Sequence, residues 1–170
     1  MRIFTGKEER IMGGHCSLRN YGPTEKKVYL RPLFKGVVGA TDGTETFESS
    51  RLFGAVGGET LSSGVGKPTP ETPFIANEVV EDGTFYDIFG SLRNDRPRWQ
   101  GQSQVVEFCR THYHKSLSSG CCGAFFEIAE EGVACVYLDG HDSYLKMYVY
   151  RPSYAYIWFV EHHPCFVLPE

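Results

Sequence analysis

Val133-Ala134-Cys135-Val136-Tyr137-Leu138-Asp139-Gly140-His141-Asp142-Ser143-Tyr144-Leu145-Lys146-Met147-Tyr148-Val149-Tyr150 is two apolar runs around a turn. β-branched and aromatic residues fill both runs, as suits a pleated surface. Asp139-Gly140 breaks them, because Gly accepts the backbone angles of a tight turn at no steric cost. In the second run Leu145, Met147 and Val149 fall on one face. Tyr144, Lys146, Tyr148 and Tyr150 fall on the other, which is the two-residue period of a strand with one face in a core. Further on, Arg151-Pro152-Ser153 marks a break, residues 154–160 are apolar on both faces, and Cys165-Phe166-Val167-Leu168 is a last apolar run. Together these runs predict a C-terminal meander with 154–160 as a central, doubly covered strand.

Two more Asp-Gly pairs predict hairpins. Asp42-Gly43 separates Val37-Val38 from Thr44-Glu45-Thr46-Phe47, and Asp82-Gly83 separates Glu78-Val79-Val80 from Thr84-Phe85-Tyr86-Asp87-Ile88-Phe89. Lys26-Lys27-Val28-Tyr29-Leu30-Arg31 alternates weakly and is expected to stop at Pro32. One segment, about 102–117, has the helical period, with Ser103 to cap it and Gly120 to end it. Val105, Phe108, Cys109, His112 and Ser116 share one face of that helix, and Glu107, Arg110, Thr111 and His114 the other. The Gly/Ser/Pro/Thr stretch 62–73 reads as a mobile loop. Neither side of it carries a core of its own, so residues 1–170 are read as one domain. The expected fold is α+β, predominantly antiparallel β with hairpins and a C-terminal meander, and one main helix packed on the sheet.

Composition agrees with a β-rich globular protein. Among 170 residues, 41% are hydrophobic, 22% charged and 14% aromatic, while Ala occurs only seven times. The net charge of −4 offers nucleic acid or anionic lipid no overall attraction. The charge is blocked: +5 over residues 1–35, −7 over 36–90, +3 over 91–120 and −5 over 121–170. Such blocks either attract one another within a fold or dock a partner. The opening residues 1–10 turn charged before an apolar stretch forms, so no signal peptide is expected. Residues 154–160, the longest apolar run, are too short to span a bilayer. Cys121 and Cys122 are adjacent, and a chain of this length needs no covalent staples. The six cysteines therefore read as reduced thiols in a cytoplasmic or otherwise intracellular, reducing setting.

Gly66-Lys67 does not make a phosphate-binding loop, since Leu61 stands where the first Gly belongs and Pro68 where the magnesium-binding hydroxyl belongs. Phe89-Gly90-Ser91-Leu92-Arg93, with Tyr86 before it, resembles the strand-and-loop motif of γ-glutamylcyclotransferase-like proteins over five residues. There the motif opens the chain and has Tyr directly before Gly; here it sits mid-chain with Phe in that place, and no family is assigned on it.

Three constellations are candidates for function. The first is aromatic: Tyr144, Tyr148 and Tyr150 on one strand face, and Tyr154, Tyr156 and Trp158 on the next. Merged, they make a protein-binding surface, because Tyr and Trp bring rigid area with a polar tip. Arg93, Arg96 and Arg98 beside Trp99 add a basic loop able to grip an acidic partner. The second is a thiol nucleophile, Cys121 or Cys122 between Gly120 and Gly123, with His112 as base and Asp139, Asp142 or Glu127 to orient it. His15-Cys16 is a further thiol candidate. The third is structural zinc held by Cys109, His112, Cys121 or Cys122, with His162, His163 or Cys165 completing the set. Cys135, inside Val-Ala-Cys-Val, reads as packing. The first is favoured: a small non-enzymatic module, an inhibitor, adaptor or assembly component, that binds a protein through its aromatic face and charged blocks, with no cofactor. Nucleic acid and membrane are disfavoured as partners.

Overall fold

The computed structural model describes residues 27–59, 65–118, 120, 122–129, 132–138 and 144–170. Among these residues seven strands form one sheet: β1 (Leu30–Val38), β2 (Phe53–Gly58), β3 (Thr72–Val79), β4 (Gly123–Ile128), β5 (Gly132–Leu138), β6 (Leu145–Tyr150) and β7 (Pro164–Pro169). Their order is β1-β3-β7-β4-β5-β6-β2. The helices are α1 (Phe85–Gly90) and α2 (Gln102–Ser118), with a short 3₁₀ turn at Val160–His162. The fold is α+β, as expected, but the sheet is mixed: β4 runs parallel to β7 and β2 parallel to β6.

The strand pairing departs from the expected hairpins for physical reasons that can be named. At Asp42-Gly43 the chain turns, with Gly43 at φ +81°, but no strand follows. β1 has its partner in β3 instead, and Thr41 pairs with Thr69 through two 2.9 Å backbone hydrogen bonds. At Asp82-Gly83 the following residues form α1, not a strand. Thr84 accepts from the Asp87 amide at 3.2 Å, while the Asp87 carboxylate accepts from the Thr84 amide at 2.9 Å. This capping box satisfies two backbone donors at once and nucleates a helix. Phe85, Ile88 and Phe89 then bury one helical face. Phe89-Gly90 thus closes a helix, and the strand of the cyclotransferase-like motif is absent.

The meander is not formed as expected. β5 and β6 are antiparallel neighbours, Val133 opposite Tyr150 and Leu138 opposite Leu145. Residues 154–160 are not a strand of the sheet; they lie over it, tied by a single bridge from Trp158 to Gly83. β7 does not follow at the edge but enters between β3 and β4. Its two faces explain this: Cys165 and Val167 join one core cluster, Phe166 and Leu168 the other. Only an interior strand buries both.

β1 runs through Pro32 with a register shift before Phe34, which a sheet edge tolerates because no ladder hydrogen bond is lost on its open side. Of the stretch expected to be a mobile loop, Thr69 is buried and bridged to Thr41, and Thr72 and Pro73 open β3; residues 62–64 lie outside the described ones. The helix spans nearly the residues expected, but Ser103 sits inside it, bonding Thr41 at 3.0 Å, and Gln104 accepts from the Gln100 amide at 2.8 Å.

α2 covers one face of the sheet, where Val105, Phe108 and Trp99 pack on Phe126, Val136 and Met147. Trp99 is fully buried and donates through Nε1 to the Val167 carbonyl at 2.8 Å. The opposite face is smaller and aromatic: Phe125 and Phe166 stack at 5.0 Å under Phe85, Phe89 and Trp158. Phe166→Ala leaves a ring-sized void at the centre of this face. It should cost about 3–5 kcal/mol, read as a lower urea midpoint with unchanged slope; a loss below about 1 kcal/mol would contradict this packing.

Candidate functional site: an aromatic face and its cavity

Tyr148 and Tyr150 project from β6 on the side away from α2, because Met147 and Val149 between them are in the α2-side core. The chain turns at 151–154, with the Tyr154 amide donating to Arg151 at 3.0 Å, and returns over the same face. The rings then meet in series. Tyr148–Tyr150 centroids are 4.6 Å apart, Tyr150–Tyr154 5.0 Å, Tyr154–Tyr156 6.2 Å and Tyr156–Trp158 4.8 Å. Tyr148, Tyr154 and Tyr156 remain 40%, 45% and 41% exposed, which leaves ring area open to a partner. Trp158 is anchored inward on Phe125 at 4.6 Å and Phe85 at 5.2 Å. Five of the six aromatics singled out in the sequence thus meet, through a returning segment and not through strand pairing. Tyr144, 67% exposed, stands apart beside Gly54 of β2.

Tyr150 divides two hollows. One, of about 450 Å³, is lined by Glu59, Tyr148, Arg151 and Tyr154, and an Arg151–Glu59 ion pair of 2.8 Å spans it. The other, of about 520 Å³, has Phe125, Cys135, Tyr137, Tyr150 and Trp158 in its lining, with Cys122, Glu161, His162 and His163. Burial raises the Tyr150 hydroxyl well above its ordinary range, helped by Cys135 and the neighbouring tyrosines, so this group stays neutral. Burial likewise pushes the Cys135 thiol up.

The thiol and imidazole groups do not assemble as the sequence suggested. His112 lies on the α2 side, its Nε2 2.7 Å from the Val37 carbonyl and its ring against Phe74 at 5.1 Å. Cys122 lines the cavity on the opposite side of the sheet, so His112 does not serve it. The Cys122 amide donates to the His163 carbonyl at 3.2 Å and is not available to an oxyanion. Glu127 is engaged by two arginines, and Cys121, Asp139, Asp142, His15 and Cys16 lie outside the described residues. Cys109 and Cys165 are buried in the α2-side core, and burial raises the Cys109 thiol. Among the described residues no three His, Cys, Asp or Glu side chains are placed to hold a metal ion, and Cys121 of the alternative zinc set lies outside them. His162 and His163 are the imidazoles that share a cavity with Cys122. The parallel pairing of Gly123 with Pro164 puts them there, and no local pattern announces that register.

Of the basic loop, Arg96 is turned inward. Arg96 and Arg98 converge on Glu127 at 2.6 and 3.1 Å, Arg96 and Glu127 being 12% and 13% exposed. Arg93 pairs with Asp95 in solvent at 2.6 Å. The charged blocks partner each other: Lys27 with Glu81, Arg31 with Glu78, Lys35 with Glu170, and Arg110 with Glu45. What the fold and site define is an α+β protein with a mixed seven-stranded sheet, one aromatic face and an adjoining cavity. Comparison of the chain with protein-family models, with curated proteins and with solved structures finds no match. Among the described residues no helix is long and apolar enough to cross a membrane.

Two expectations follow from these contacts. Glu127→Gln strips the shared counter-charge from Arg96 and Arg98 and should cost about 2–4 kcal/mol in urea unfolding, against less than about 0.5 kcal/mol for Arg93→Ala; equal losses would contradict the inward assignment. Iodoacetamide on the native protein at about pH 8 should modify exposed Cys122 well before Cys109 and Cys135, because raised thiol pKa values leave less thiolate. Peptide mass mapping reads the order, and labelling of Cys109 or Cys135 first would contradict it.

Proposed function

We propose that this protein is a non-enzymatic binding module that receives a protein segment along the Tyr148–Tyr150–Tyr154–Tyr156 row, as an inhibitor, adaptor or assembly component of a reducing, intracellular setting. The observation that carries this reading is the continuous series of ring contacts in which Tyr148, Tyr154 and Tyr156 remain exposed. Rigid aromatic area costs little entropy to order and is the typical source of interface hot spots. The catalytic alternative is weakened by the separation of His112 from Cys122 and by the engaged Cys122 amide. Nucleic acid is disfavoured, since the row has Lys146 and Arg151 as its nearby cations and Arg151 is paired with Glu59.

A photo-crosslinking residue at Tyr156, with Val37 on the β1 edge as control, tests the reading in cells. One discrete adduct is expected at Tyr156 and none at Val37. The captured protein, once purified, should bind the wild type at least about tenfold more tightly than a Tyr148→Ser/Tyr156→Ser variant of unchanged melting temperature. No adduct, together with esterase turnover that Cys122→Ser abolishes, would replace the module by a thiol enzyme.

A further inference from the structure

The cavity beside Trp158 has a chemistry of its own. Trp158 meets Phe125 at 64° and 4.6 Å, and Tyr150 at 80° and 5.4 Å. These three rings and Tyr137 contribute to the lining of the cavity, and an aromatic face carries the negative lobe of the ring quadrupole. Glu161, on the exposed 3₁₀ turn, brings a carboxylate to the lining, and among the described residues no Lys or Arg lines the cavity. Two imidazoles, His162 and His163, complete the charged and titratable groups there besides the thiols and tyrosines. An apolar box with one carboxylate suits a cation whose hydration is weak. A bare ammonium would lose strong hydration on entry, whereas an alkylated one loses less and keeps its charge. The volume of about 520 Å³ leaves room for an alkyl stem behind the charged head.

We propose that this cavity is an aromatic cage for an alkylated ammonium group, carried on a methylated lysine side chain of the partner segment. The inference rests on the binding-module reading and names what that segment inserts. Continuity supports a protein-borne cation: Tyr156 touches Trp158 at 4.8 Å, so a chain whose side chain fills the cage has the Tyr156–Tyr154 rings beside it to lie on. A free small cation would leave those rings unused.

Calorimetric titration tests it with four probes. These are choline, its neutral isostere 3,3-dimethylbutanol, a short peptide carrying one trimethyllysine, and the same peptide with unmodified lysine. Choline should bind at least about tenfold more tightly than the neutral alcohol, and the methylated peptide at least about tenfold more tightly than choline or its unmodified twin. Glu161→Gln, at a solvent-exposed position, should weaken choline about threefold or more without moving the melting temperature. Tyr137→Leu should weaken it as well, and circular dichroism confirms that this second variant is folded. Equal binding of the neutral alcohol, or no effect of Glu161→Gln, would overturn the cage. A methylated peptide no tighter than choline would overturn the protein-borne source. Loss of all cation binding with the Tyr156 adduct intact would sink the cage alone, while loss of the adduct would sink the binding-module reading.

Discussion

The architecture depends on β7 being an inner strand although it is the last one in the chain. It pairs with β3 on one side and β4 on the other, joining elements that lie some ninety and forty residues upstream. Phe166 on one face and Val167 on the other fill the two cores at once, and the Val167 carbonyl receives the Trp99 indole N–H at 2.8 Å. Until β7 docks, β1 and β3 have no sheet to belong to, and the stack of Phe125 on Phe166 does not exist. Pairings this distant in sequence incur loop-closure entropy before burial compensates it, so cooperative, comparatively slow folding is the natural consequence.

The same register builds the aromatic site. Because Gly123 pairs with Pro164, the turn just before β7 comes to rest beside Cys122, and Glu161, His162 and His163 arrive at the cavity. The segment before that turn is fixed at one end by the Trp158–Gly83 bridge and by the Val160 amide donating to Asp82 at 2.8 Å. Held this way it lays Tyr154 and Trp158 against Tyr150, with Tyr156 between them. A loop that carries three aromatic side chains at contact distance is more ordered than its lack of ladder hydrogen bonds suggests, and preordered rings lose less entropy on binding.

Charge serves the fold more than the surface. Among the described residues the blocks pair with one another at several points, and the most buried of these pairs, Arg96 with Glu127, ties the loop before α2 to β4. Arg96 also lies 5.3 Å from the Phe89 ring, linking that loop to α1. Exposed pairs such as Lys27–Glu81 contribute little stability individually.

Local periodicity was enough to identify α2, a matter of residues three or four positions apart, and the alternation of β6, a matter of residues two apart. It also placed Met147 and Val149 in a core and Tyr148 and Tyr150 opposite them. The failures share one cause. Thr84–Phe89 fits a strand and a helix equally well, and a capping box with a buried apolar stripe decided for the helix. Residues 154–160 look doubly apolar, but only β7 had both faces filled by neighbours, so β7 took the interior position and 154–160 stayed above the sheet. Cys109, His112 and Cys122 are close in sequence yet divided by the sheet, while His163, forty-one residues from Cys122, is beside it. Sequence alone determined which residues can be buried and with what period; tertiary structure decided which strands are neighbours, because that choice is made by long-range burial and no local pattern encodes it.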